Sequence, residues 1–432
     1  MCAHSGERTL RSHVHGSRLL NVSSYRAPLL VVAIALALSG CGHSGGGATE
    51  SVVRPTVVLA VPKEGPEAHL GRDIERAAKM QFEATSKTGN LERLRLVVVD
   101  EASSQAPHID PETVAERTQD QIDSGGVVGW VGGVDSDALA VELPRLNQAG
   151  VLAVSPNATA TAFNRRDPGF PGAPIKYYPA FDRYGLSFAR TSPTDIDVAG
   201  PCLKEIAGSG QRKVFTVDAG DTDGDSFSSA VDTLSLRQGI TVVGHESVPL
   251  GHADWEGLVQ QIHAAGAQVV IWGSTPGPGQ ADLWAAVARA GLRVQMVAGS
   301  VTPPSLISRL SHVVSGTVIC SAAVPSDQQT SRSAKFAQAF TERWGHEPTA
   351  GALRGASAMA FALEALKSAK VSPAAGSDLS VLRSAATLQL SRTRRVDSLL
   401  GVVTLDRLGN WSAAPVGIWT LSGSTSAFKR LG

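Results

Sequence analysis

The chain has 432 residues, with 39 basic and 39 acidic side chains, a hydrophobic fraction of 43% and a mean hydropathy of +0.02. That is an ordinary globular composition and more chain than one core serves, so two domains are expected. Charge is balanced and no basic stripe is visible, which argues against a nucleic-acid binder.

The first element in chain order is a targeting segment. Ala27 to Gly40 is uncharged and rich in Leu, Val and Ala, with Arg18 and Arg26 as its positive flank. It is shorter than the roughly 20 apolar residues that span a bilayer. Its length suits the h-region of a signal peptide, with an uncleaved anchor as the alternative. Leu38-Ser39-Gly40-Cys41 closes the run. It resembles the bacterial lipobox, in which a cysteine thiol is alkylated to a thioether and becomes the new N-terminus. The resemblance implies a signal peptide over 1–40, lipid on Cys41 and attachment to the outer side of the cytoplasmic membrane. Residues 41–50, with the run Gly42-His43-Ser44-Gly45-Gly46-Gly47, read as a flexible tether. Without the first 40 residues the balance is 35 basic to 38 acidic side chains.

Beyond the tether, short apolar runs alternate with longer amphipathic stretches. Strands are predicted at Thr56–Val61, Arg95–Asp100, Val127–Val131, Val151–Ser155, Lys213–Asp218, Ile240–Val248, Gln268–Trp272 and Val294–Ala298. Their continuous apolar character suits strands covered on both faces. Leu70, Ile74, Ala77 and Gln81, widened by Ala78 and Phe82, mark one helix; Phe336, Phe340 and Trp344 mark another. The alternation predicts an α/β fold with mostly parallel sheets and right-handed crossovers. Asn164–Tyr184, rich in Pro, Gly and aromatics, is expected to be a long surface excursion. Its Tyr177, Tyr178, Phe181 and Tyr184 either rim a pocket or staple the loop to its own domain. Val371–Asp378 is expected to be another surface loop. Of four cysteines, Cys2 falls in the leader. Cys202 and Cys320 form either a disulfide or two small buried side chains.

Six short motifs occur in order at fitting distances. They are Gly65-Pro66-Glu67-Ala68-His69-Leu70-Gly71, Val131-Gly132-Gly133, Ser155-Pro156-Asn157-Ala158-Thr159, Phe188 to Asp195, Phe340 to Pro348 and Leu400 to Asp406. Together they resemble type I periplasmic binding proteins of the branched-chain amino acid receptor group, over about residues 55–425. The resemblance implies two Rossmann-like lobes with parallel central sheets, joined by three hinge crossovers. One lobe is expected from 51–193 plus 300–395, the other from 194–299 plus 396–432.

Ligands bind beyond the carboxyl ends of the strands in such sheets, near helix N-termini. Asp135 and Ser136 follow the third strand; Asn157 and Thr159 follow the fourth. In the family these positions hold a ligand carboxylate, which Ser136 and Thr159 match. Asp135 would oppose such a group, and Ser136 also suits a helix opening. On the other lobe Asp223 stands where the family has an aromatic ring, and Gly279 where it has an acid for an ammonium group. A standard branched-chain amino acid is therefore not expected unless Asp223 or Asp282 supplies the charge. The expected function is a monomeric solute-binding protein that delivers a small polar ligand to a membrane ABC permease. The alternative is a surface sensor of the same fold.

Asp221-x-Asp223-x-Asp225 faintly echoes a calcium loop, but Ser226 stands where its glycine belongs. With no phosphate loop, zinc-protease motif or nucleophile elbow, neither catalytic residue, metal nor cofactor is expected.

Overall fold

A computed structural model describes residues 54–65, 67–87, 91–102, 109–249, 251–275, 277–299, 316–322, 331–370, 378–422 and 425–431. The expected signal peptide, Cys41, the tether and residues 371–377 lie outside them. The first sheet contains β1 (Thr56–Val61), β2 (Arg95–Asp100), β3 (Val127–Val131), β4 (Leu152–Ser155) and β5 (Phe188–Arg190). Their order is β2-β1-β3-β4-β5 and every pair is parallel. Val57, Leu59 and Val61 pack on one face with Ile74, Ala77 and Ala78 of helix Ala68–Thr85 and with helix Ala350–Ser368. Val58 and Ala60 pack on the other face with Trp130, Leu139 and Phe163. Burial on both faces is why these strands read as unbroken apolar runs.

The second sheet collects β6 (Lys213–Asp218), β7 (Thr241–Ser247), β8 (Val269–Trp272), β9 (Gln295–Gly299) and β10 (Val318–Ala322). After β11 (Arg395–Ser398) and β12 (Gly401–Thr404), which form a separate hairpin, it gains β13 (Val416–Ser422) and β14 (Thr425–Leu431). The order is β14-β13-β10-β9-β8-β6-β7, parallel from β7 to β10 and antiparallel beyond. The eight predicted strands fall within a residue of those observed. Strands β5 and β10 to β14 lay outside the predicted set.

The observed packing shifts the expected partition of the chain. Residues 300–395 are expected with the first sheet, yet β10 pairs with β9 and β13 in the second. Residues 396–432 are expected with the second, yet the hairpin buries Val396, Leu400 and Val403 beside the first. The cause is burial: Ile319 and Cys320 are fully buried between layers of the second sheet, and Val403 is fully buried against the first.

The excursion over 164–184 also has more order than expected. It holds a short turn of helix at Ile175–Tyr177 and another at Phe181–Tyr184. Tyr178 is 1% exposed and its hydroxyl donates to the Phe163 carbonyl at 2.8 Å. Tyr177 meets the Phe163 ring edge-on at 4.9 Å. These two rings staple the loop to the first sheet.

Cys202, on helix Asp195–Gly208, forms a disulfide with Cys320 of β10 across a separation of 118 residues. It closes a long loop and removes much of the unfolded chain's freedom. By chain entropy it contributes about 5 kcal/mol. The Cys202→Ala, Cys320→Ala double variant is expected to lose stability on that scale in urea unfolding. A loss below a quarter of it would show that the bridge adds little.

Candidate functional site

The residues after β3 and β4 form one braced floor. Gly133 turns the chain at φ +63°, and a Cβ there would meet Leu139 Cβ at 2.7 Å. The Glu101 carboxylate accepts from Gly133 N–H at 2.7 Å and from Val134 N–H at 3.3 Å. Ser155 Oγ donates to the Gly133 carbonyl at 2.7 Å and accepts from the N–H groups of Asn157 and Ala158. Asn157 Nδ2 donates to the Val134 carbonyl at 3.1 Å. Asp135 caps helix Ser136–Gln148, accepting from Asp137 N–H at 2.6 Å. Ser136 Oγ in turn accepts from Thr159 N–H and Ala160 N–H, both at 3.2 Å. Ser136 therefore opens the helix and also ties it to the neighbouring loop.

Two arginines hold this floor from behind. Arg190 is fully buried; its Nη1 donates to the Ala158 carbonyl at 3.1 Å and its Nη2 to Asn164 Oδ1. Arg354, 6% exposed, donates from Nη2 to Asn157 Oδ1. Its Nε and Nη1 have no hydrogen-bond partner among the described residues. Burial pulls both guanidinium groups down to about 10.

The second sheet meets the floor through helix Thr222–Ser235, capped by Asp221. Asp223 is buried in its first turn. One carboxylate oxygen accepts from Thr159 Oγ1 at 3.0 Å, and the other from Ser136 N–H at a long 3.5 Å. In return Asp137 Oδ1 accepts from Thr222 N–H at 2.9 Å and from the Thr222 hydroxyl. Ser226 Oγ accepts from Thr161 N–H at 3.0 Å. The two helices thus oppose their N-terminal ends, and each supplies an acid to the other.

Beyond this geometry, the periplasmic binding protein family model matches residues 55–408. The chain belongs to the periplasmic binding protein family. An amino acid binding protein of Pseudomonas aeruginosa is 26% identical over 230 residues, 53% of this chain and 56% of that protein. A Leu/Ile/Val-binding protein homolog of Brucella abortus is 23% identical over 343 residues, 77% of this chain and 83% of that one. The match to the Pseudomonas protein therefore spans only about half of its length. Among solved structures, a leucine binding protein from Thermotoga maritima superposes with a TM-score of 0.70 at 18% identity, covering 87% of this chain and 97% of that one. A solute binding protein from R. palustris in complex with benzoate gives 0.67 at 18% identity, covering 88% and 96%. At these identities the structural likeness speaks for the fold.

Within this periplasmic binding protein, Ser136, Thr159 and Asp223 are brought together directly, with Asn157 bracing their loop. Asp135 is engaged in capping. Asp282 is exposed on helix Pro278–Arg289, away from this joint's bonds. Gly279 lies against Trp272, where a Cβ would stand 3.2 Å from the ring. Asp137, Thr222, Asp195 and Arg354 were not among the candidate site residues, and Asp221 and Ser226 entered only through the calcium-loop echo. A signal was available for Asp137 and Thr222, which sit at helix starts after predicted strands. None was available for Arg354, whose partner Asn157 lies 197 residues away in the chain.

The joint is rich in acids, and burial is the first cause of their shifts. Burial and then Asp223 raise Asp135 well above the carboxylate range. The same two causes push Asp195 up to about 8 and Asp221 to about 7. Burial raises Asp223 too, opposed by its bond from Ser136. Glu101 is pushed up to about 7 by burial, against the N–H groups of Gly133 and Val134. Such acids bind more protons in the folded chain than in the unfolded one. Their stabilising share is complete below about pH 4 and is lost as pH rises through 7 and 8. His245, raised chiefly by its 2.6 Å bond to Asp218, has the same sign. Asp218 and Asp406 are held low, titrate below this window and do not oppose it. Melting temperature is therefore expected to fall by several degrees from pH 5 to pH 8.5, and Asp221→Asn to flatten that decline. An unaltered slope in the variant would contradict the assignment.

Proposed function

We propose that this chain is an extracytoplasmic solute-binding protein, tethered to the membrane by lipid on Cys41, that delivers a small polar ligand to an ABC permease. The observation that carries this reading is the convergence of Ser136, Thr159 and Asp223 where helices following strands of two separate sheets meet. Polar groups gathered beyond the carboxyl ends of parallel strands are where open α/β sheets receive ligands. A ligand contacting both sides stabilises the closed arrangement, and a permease that recognises that arrangement completes the handover. This role needs no covalent chemistry, no cofactor and no second copy of the chain. The names of the relatives and neighbours include amino acids and benzoate, which supports a small organic ligand. A surface sensor of the same fold is the second reading, favoured by the direct bonding of the two sides through Asp223.

The test is a thermal-shift screen of the purified full chain against amino acids, amides, sugars and polyamines. A ligand at 100 times its Kd stabilises by about 2.7 kcal/mol. Thr159→Ala is expected to weaken any hit several-fold, because the closed form loses the Thr159–Asp223 bond. Unchanged affinity would remove Thr159 from the site, and a panel with no hit would favour the sensor. Cys41→Ser is expected to move the protein from the membrane fraction to the soluble fraction; retention on the membrane would refute the lipid anchor.

A further inference from the structure

Thr159 Oγ1 and Ser136 N–H, at the positive end of a 13-residue helix, converge as a cradle for one carboxylate. The carboxylate seated there is the chain's own Asp223, reaching across from the second sheet's side and only 6% exposed. We propose that Asp223 is the resident anion of this cradle, a specificity-determining latch that joins the two sides and bars solutes that would place a carboxylate at Ser136 and Thr159. The inference rests on the receptor reading and narrows its ligand class.

Three observations support the latch. Both oxygens of Asp223 are engaged by groups from the other side, so the contact is a bonded seat. Its neighbours on either flank are also cross-bonds, from Thr222 to Asp137 and from Thr161 N–H to Ser226 Oγ. Carried on its own helix, Asp223 arrives already oriented, an advantage that a free carboxylate lacks.

The surrounding acids, whether ionised or holding a proton, offer an entering carboxylate no counter-charge. Asp135, Asp137 and Asp221 act on this spot, and Asp195 faces Asp223 from the helix that begins at the crossing. Glu67 adds to Asp135 from the segment after β1. Of the nearby cations, Arg190 is bonded behind the floor to Ala158 and Asn164, and Arg354 is anchored to Asn157 through Nη2 while its Nε and Nη1 have no hydrogen-bond partner among the described residues. A second carboxylate entering here meets several acids, and among the described residues no cation is bonded to Ser136 or Thr159. Neutral solutes with hydroxyl or amide groups, and amines, meet no such opposition.

The experiment compares the full-length protein with Asp223→Ala, using sodium acetate, leucine and benzoate as probes. Thermal shift reads binding and small-angle scattering reads closure. The variant is expected to have a larger radius of gyration than the wild type. It is also expected to respond to acetate at a concentration at least tenfold lower. Should Asp223→Ala fail to fold, Asp223→Asn keeps the volume and removes the charge, with a shift of at least threefold expected. A variant as compact as the wild type and no more responsive to any carboxylate overturns the latch. So does a wild type already stabilised by acetate, with Arg354→Met abolishing the response, because the anion then enters elsewhere. Neutral and cationic solutes tested on the wild type judge the receptor reading separately. Their uniform failure sinks that reading without touching the outcome at Asp223.

Discussion

Two helices point their N-terminal ends at one another across the joint between the sheets, and the rest of the site follows from how those ends are neutralised. Each end carries N–H groups without partners inside its own helix and a partial positive charge. Left alone, the two would repel and their donors would be buried unsatisfied. Asp223 accepts from Ser136 N–H, and Asp137 accepts from Thr222 N–H. The exchange is reciprocal: each helix caps its own start with one aspartate, Asp135 or Asp221, and sends another to the opposing helix. Polar closure of this kind stabilises modestly. An acid at a helix N-terminus contributes about 0.3–1 kcal/mol. The joint is thus held by small polar increments between the helices of the two sheets.

The floor beneath the joint is built on the opposite principle. Ser155 links two loops through three bonds, Glu101 fixes the backbone after β3, and Arg190 and Arg354 secure the loop after β4 from behind. Most of these groups are buried, where a lost bond costs more than a made bond gains. One side is therefore densely cross-bonded, and the acids gather at the joint. Several of these acids hold a proton near neutrality because burial disfavours their ionised form. Protonation lets so many carboxyl groups crowd into one place.

The sheets were legible from the chain because strands covered on both faces leave unbroken apolar runs, as Thr56–Val61 and Val127–Val131 do. Helices were legible where one face is apolar, as with Ile74, Ala77 and Ala78. The hairpin Arg395–Ser398 with Gly401–Thr404 was not: its strands are four residues long and alternate in exposure, too little pattern to read. The place of residues 318–322 in the second sheet was not legible, because sheet membership is a matter of which neighbours a strand pairs with. At the site, Ser136, Asn157, Thr159 and Asp223 could be singled out from motif positions. That Asp223 bonds to Ser136 and Thr159 could not, since the partners lie 87 and 64 residues away.

The sequence by itself determined the class of fold, the order of its main strands and the family, because periodicity and short motifs are local properties of the chain. It also placed polar side chains at helix starts beyond the strands. Only the tertiary structure decided that Cys202 and Cys320 are joined, that β10 belongs to the second sheet and that a protein carboxylate fills the cradle at Thr159. Each of these is a pairing between distant residues, and hydrogen bonds, disulfides and burial depend on separations in space that spacing along the chain does not fix.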